Sequence, residues 1–219
     1  MVYRDRSDAG CALAAALARY RDRDDVLVLA LPRGGVPVGF EVAMALGCPL
    51  DVFVVRKLGV PDHPEWAFGA IGSGGARVLN QDVVRSAGIT ADEIERVTLA
   101  EQGELERRER LYRAATDTVN PRDRAVILVD DGLATGATMR AAIVGVRQRH
   151  PSAVVVAVPV GSPRAVADVA READEVICPA QPWDFQAVGL HYANFEATGD
   201  DEARALLDEA RRRFASIVV

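Results

Sequence analysis

Lysine is almost missing from this 219-residue chain: of 26 basic residues Lys57 is the only lysine, and the rest are arginine. Such a bias reflects arginine-favouring codons, and a lysine that survives it is either chance or sits where a compact ammonium is needed. Cysteine is scarce too. Cys11, Cys48 and Cys178 are odd in number and far apart, which suggests neither a disulfide framework nor a zinc site, only small hydrophobes in reduced surroundings. Long apolar runs are lacking: the stretches 26–31 and 153–160 are far shorter than the roughly 20 residues a membrane helix needs. The N-terminal Met1-Val2-Tyr3-Arg4-Asp5-Arg6 lacks the charged-then-apolar layout of a signal peptide, so a cytoplasmic location and no membrane partner are expected. There is no basic excess either. A net charge of −6 disfavours broad nucleic-acid binding, and Arg107, Arg108, Arg110 and Arg113 form one local cluster.

What remains is ordinary globular composition, 49% hydrophobic and 26% charged, without repeats or low-complexity tracts. The length suits one α/β domain, alone or with a small cap. Ser7 is placed to cap an alanine-rich helix to about residue 21, with Leu13 and Leu17 inward. Buried strands are expected at 26–31, 51–55, 125–130, 153–158 and 175–178, and helices at 36–46, 137–149, from Ser162-Pro163 and at 200–214. Five strands alternating with helices predict a doubly wound, mainly parallel α/β sheet.

Two segments depart from that rhythm. Residues 56–80 are rich in Gly and Pro, with a hairpin expected between 68–71 and 77–79 across Ser73-Gly74-Gly75. Thr90-Ala91-Asp92-Glu93 is a capping box opening a long charged helix. Its thin apolar stripe, Ile94, Val97, Leu105 and Leu111, suits an outer arm over 90–114 or a dimer element, so a homodimer is one expectation.

The chemistry concentrates in Val126-Ile127-Leu128-Val129-Asp130-Asp131-Gly132-Leu133-Ala134-Thr135-Gly136-Ala137-Thr138-Met139. This is a buried strand, two carboxylates at its C-terminal edge, a tight loop and a helix start, and ligands bind at that edge in open α/β sheets. Loop and helix N–H groups form an anion cradle, hydroxyls of Thr135 and Thr138 can donate to phosphate oxygens, and Gly136 permits close approach. Asp130 and Asp131 can accept from sugar hydroxyls or hold Mg²⁺ through oxygen. A surface Asp-Asp-Gly turn would explain the acids but not the Thr-Gly-X-Thr run behind them. No Gly-Lys-Ser/Thr ending and no Gly-X-Gly-X-X-Gly is present in this segment, which sets aside P-loop and dinucleotide sites.

In this stretch the sequence resembles the type I phosphoribosyltransferases, whose phosphoribosyl-pyrophosphate motif it matches throughout. The resemblance implies that residues Ala134, Thr135, Gly136, Ala137 and Thr138 bind the 5′-phosphate and that Asp130 and Asp131 hold the ribose, with Mg²⁺ as cofactor. The family's 6-oxopurine branch carries aspartate where this chain has Ala134. That points to the adenine-type or other branches without establishing adenine. Upstream, Arg33, Gly34 and Gly35 after the first strand resemble the family's pyrophosphate loop. Arg56-Lys57 after the second resembles the adenine-type cation pair next to a mobile lid, here 56–80, with Lys57 expected in catalysis.

A hood is expected over 179–199. Trp183 or Phe185 can stack on a planar acceptor there, although packed core contacts are the readier reading of such aromatics, and Glu65 can reach the acceptor from the lid. His63 is read as a solvated lid histidine and His150 as a helix end. The expected reaction is Mg²⁺-assisted transfer of phosphoribosyl from 5-phosphoribosyl-1-pyrophosphate to a nitrogenous acceptor. A nucleotide-sensing regulator and an enzyme using another acceptor or water, both on the same fold, stay open as alternatives.

Overall fold

The computed structural model describes residues 2–112 and 119–214. A five-stranded, fully parallel sheet forms its centre, built from β1 (Val26–Ala30), β2 (Leu50–Val52), β6 (Ala125–Val129), β7 (Ala153–Ala157) and β8 (Glu175–Ile177) in the order β2-β1-β6-β7-β8. The strand order reverses at β1, so β1 and β6 flank the switch point where such sheets open a crevice at their C-terminal edge.

Both faces of β1 and β6 are covered, which is why these strands read as unbroken apolar runs rather than alternating ones. Val28 and Ile127 face α1 (Arg6–Ala16), α2 (Gly35–Leu46) and the closing α7 (Asp200–Phe214), in one core with Leu13, Val42 and Leu207. Leu27 and Leu128 face α5 (Ala137–Arg147) and α6 (Pro163–Val169), in a second core with Met139, Ile143 and Val169.

The expected caps are mostly present. Gly47 ends α2 at φ 72°, a left-handed position that glycine adopts without strain. Ser162 accepts from the Ala165 amide ahead of Pro163. The first helix differs: Asp5, not Ser7, caps α1 by accepting from the Asp8 amide, and the helix stops at Ala16 before a 3₁₀ turn, Ala18–Tyr20. An ionised Asp at the N-cap is as good an acceptor as Ser, and the sequence alone does not rank two such residues two positions apart.

The glycine-rich segment expected as a lid is largely regular. β3 (Val55–Val60), β4 (His63–Gly72) and β5 (Ala76–Leu79) form a separate antiparallel sheet, including the expected hairpin with Ile71 opposite Arg77. A short α3 (Gln81–Ser86) follows, capped by Asn80. Thr90 and Glu93 bond reciprocally as a capping box at the start of α4 (Ala91–Tyr112). That helix is less peripheral than its charged composition suggested. Leu105 and Tyr112 are buried in the same core as Leu58 and Phe68 of the accessory sheet, so α4 clamps that sheet onto the domain. Arg113, the last member of the expected arginine cluster, lies outside the described residues, as do the arm's final position 114 and the chain ends 1 and 215–219.

Candidate active site

β6 delivers Asp130 and Asp131 to the C-terminal edge of the sheet, and the chain then turns through 132–136 into α5. Gly136 takes φ 77° and leads directly into the helix, so the first-turn N–H groups point out of the loop with no carbonyl of their own helix to meet. The Thr135 hydroxyl accepts weakly from the Ala137 amide at 3.4 Å. The loop's far side is pinned by the Leu133 amide donating to the Val160 carbonyl and the Ser162 hydroxyl donating to the Ala134 carbonyl. Ala134, Thr135, Ala137 and Thr138 are exposed, as a phosphate cradle requires.

The parallel neighbour β1 delivers Arg33-Gly34-Gly35 to the same edge. The two loops are so close that a side chain at either glycine would meet the acid loop. A Cβ on Gly34 would lie 2.1 Å from Asp131 Oδ2, and one on Gly35 would lie 2.7 Å from the Val129 carbonyl and 3.0 Å from Asp130 Cα. Arg33 is exposed above this junction, with its guanidinium 3.7 Å from Asp200 at the start of α7.

The acids form a tightly held corner. Asp130 Oδ1 accepts from the Asp131 amide, and Tyr192 donates its hydroxyl to the Asp131 carbonyl at 2.5 Å. Arg6 Nε donates to Asp131 Oδ2 at 2.9 Å. Burial, then the neighbouring Asp131 charge, pushes Asp130 well above the ordinary carboxylate range. Burial also raises Asp131, opposed by the hydrogen bond and charge of Arg6. An acid pair held at this electrostatic cost is a frequent mark of a functional site.

Mg²⁺ fits this donor set in one manner only. Among the described residues no group of three or more His, Cys, Asp or Glu side chains can hold a metal, so a closed protein cage is not on offer. Two adjacent carboxylates suit an ion that keeps most of its waters and arrives bound to phosphate oxygens.

The remaining expected residues are dispersed. Arg56 and Lys57 point to opposite faces of β3, as neighbours on a strand must. Arg56 Nε bonds Glu101 of α4 at 2.7 Å. Lys57 is exposed and lines a groove of about 460 Å³ between the accessory sheet and α5, with Ala137 and Arg140 opposite. The structure therefore brings Arg33, Gly34, Gly35, Asp130, Asp131 and the 134–138 loop together, and it turns Lys57 toward α5. Glu65 is exposed on β4. Trp183, for which a core contact was the readier reading, is 91% exposed among the described residues. Phe185 stacks on His191, with ring centroids 5.4 Å apart. Sequence reasoning missed Arg6 and Phe195 and gave Tyr192 no specific role. No local pattern distinguishes Arg6 from its neighbour Arg4, because its partner lies 125 positions away.

The phosphoribosyl transferase domain model matches residues 6–194. The chain belongs to that family. Two curated Mycobacterium tuberculosis proteins, from different strains and provisionally named phosphoribosyl transferases, are each 51% identical to it over 214 residues. That alignment takes in 98% of this chain and 48% of theirs, so the chain spans about half the length of these relatives. The crystal structure of TT1426 from Thermus thermophilus is 44% identical and superposes with a TM-score of 0.86 over 95% of this chain and 99% of that one. The parallel sheet and its crevice are thus those of the type I phosphoribosyltransferase fold. Among the described residues no helix is long and apolar enough to cross a membrane.

Proposed function

We propose that this phosphoribosyltransferase domain binds 5-phosphoribosyl-1-pyrophosphate at the junction of its two loops and transfers the phosphoribosyl group to a nitrogenous acceptor, releasing pyrophosphate. The observation that carries this reading is the contact of Gly34 and Gly35 with Asp131 and Asp130. It sets a pyrophosphate-type loop and a phosphate-cradling loop on either side of one acid pair, as a donor bearing phosphate at both ends of a ribose requires.

In this reading the exposed N–H groups and hydroxyls of 134–138 hold the 5′-phosphate, and Asp130 and Asp131 accept from the ribose hydroxyls. The Arg33 loop receives the pyrophosphate. As the C1–O bond to pyrophosphate breaks, positive charge develops on the sugar and negative charge on the leaving group. The acid pair faces the first and Arg33 the second. Asp130 and Asp131 would hold Mg²⁺ brought in with the donor, and the ion would supply further neutralisation of the leaving group's charge. No protein nucleophile is needed, because the chemistry is positioning and charge compensation.

The acceptor is a planar nitrogen heterocycle in this reading, supported by the exposed Trp183 and the Phe185–His191 stack in the 179–199 segment. The test is a screen of nucleobases for pyrophosphate release in the presence of donor and Mg²⁺. Release dependent on one base class supports transfer. Release without any acceptor would assign hydrolysis instead, and donor binding without release would assign a sensor.

A further inference from the structure

Arg6 makes three contacts that meet at the acid pair. Its Nε bonds Asp131 Oδ2 at 2.9 Å, one terminal nitrogen bonds the Glu196 carbonyl at 2.6 Å, and the guanidinium lies 4.0 Å from the centre of the Phe195 ring. Its side chain is only 11% exposed and that of Asp131 only 16%. Two edges and one face of the same planar group are used at once, an arrangement that an ammonium cannot reproduce. On its other side Arg6 lines a polar cavity of about 270 Å³ with Ser7, Asn194, Glu196 and Glu202.

Stability is a weak reason for such a pair, since replacing a buried ion pair by apolar residues is commonly neutral or favourable. The partner chosen is also informative: among the described residues this is the ion pair that the two acids make. We propose that Arg6 is a positioning residue for the ribose. It holds Asp131 by Oδ2, leaving Oδ1 for a sugar hydroxyl, and it ties that geometry to the packing of the 192–196 segment against α1. This role rests on the donor reading above, with which it stands or falls only in the respect the experiment separates.

The experiment is titration calorimetry of the full chain in Mg²⁺ with three probes: 5-phosphoribosyl-1-pyrophosphate, ribose 5-phosphate and inorganic pyrophosphate. The parent is compared with Arg6→Gln, Arg6→Lys and Phe195→Leu. For Arg6→Gln we expect affinity for both ribose-bearing probes to fall on the order of tenfold or more, with pyrophosphate affinity unchanged. Arg6→Lys should recover only part of the loss. Phe195→Leu keeps the guanidinium but removes its stack and should show a smaller loss of the same pattern. If Arg6→Gln does not fold, the other two variants decide by that pattern. A lowered melting temperature with all three affinities at parental values would overturn the proposal, and so would an equal loss for all three probes. A parent that fails to bind 5-phosphoribosyl-1-pyrophosphate would instead bring down the donor reading and this role together.

Discussion

The acid corner and the α5 groove are both lined by small residues, yet they are built to opposite ends. At the corner, Gly34 and Gly35 are small because backbone and carboxylate of the next loop already occupy the space where a side chain would go. In the groove, Ala67, Ala70, Ala137 and Ala141 leave a volume of about 460 Å³ open, and the charged groups Lys57 and Arg140 stand at its walls. The corner holds two half-buried acids side by side: burial raises both, and the Asp131 charge raises Asp130 further. In the groove Arg140 is offset by Glu172 in an exposed pair at 2.6 Å. Crowding that holds charges in an unfavourable place is a frequent mark of a functional site, a mark that the open groove does not carry.

The sharpest break of that contrast is steric. Gly35→Ala drives a Cβ into the Val129 carbonyl and the Asp130 backbone, and overpacking of this kind costs about 1–3 kcal/mol. Urea unfolding should show that loss. Alanine at Gly34 can be relieved only by moving the Asp131 carboxylate, so donor binding should suffer there even where stability does not.

Removing cations should separate the two regions next. Arg33→Ala is expected to weaken donor binding on the order of tenfold, the size of one lost charge-assisted contact. Lys57→Ala should weaken it less, because the ammonium is turned toward α5. Equal losses would mean that the Lys57 face of β3 meets the donor when the site is filled.

A pH effect of unusual sign comes third. Below the unfolded carboxylate value, about 3.9, both states hold the Asp130 proton and the group contributes nothing. As pH rises through that value the unfolded chain releases its proton while the folded chain, with its raised pKa, keeps it. Asp130 therefore costs stability up to the folded-state value, above which the cost is constant. Asp130→Asn should make the ligand-free protein more stable at neutral pH, with the gain vanishing as pH falls toward about 3. Thermal melts of parent and variant across that range give the difference directly. The smallest effect is expected at Trp183: with 91% of it exposed, Trp183→Ala should change stability by no more than about 0.5 kcal/mol. Any loss of acceptor-dependent pyrophosphate release in that variant would then be a binding effect.

Much of this was legible in the chain itself. Strands β1 and β6 are continuous apolar runs ended by Pro-Arg-Gly-Gly and Asp-Asp-Gly, and the parallel pairing of such strands brings their C-terminal loops together without further information. Less legible was the segment 56–80. Beyond the hairpin it showed no strand pattern, and in the structure Gly59 and Gly69 lie in strands, with the Pro64 backbone and the Val78 carbonyl within 3 Å of where a Cβ would sit. Close strand packing and flexibility ask for the same residue. Arg6 was illegible for a different reason, since nothing local announces an ion pair that only the folded topology creates.

The central claim is that Asp130 and Asp131 bind the donor's ribose, and titration calorimetry of the Asp130→Asn/Asp131→Asn double variant with 5-phosphoribosyl-1-pyrophosphate and Mg²⁺ tests it most directly. Each lost charge-assisted contact is worth about 1.5–3 kcal/mol, so the account predicts donor binding reduced by at least about two orders of magnitude in a variant that remains folded. Donor affinity equal to that of the parent would contradict it.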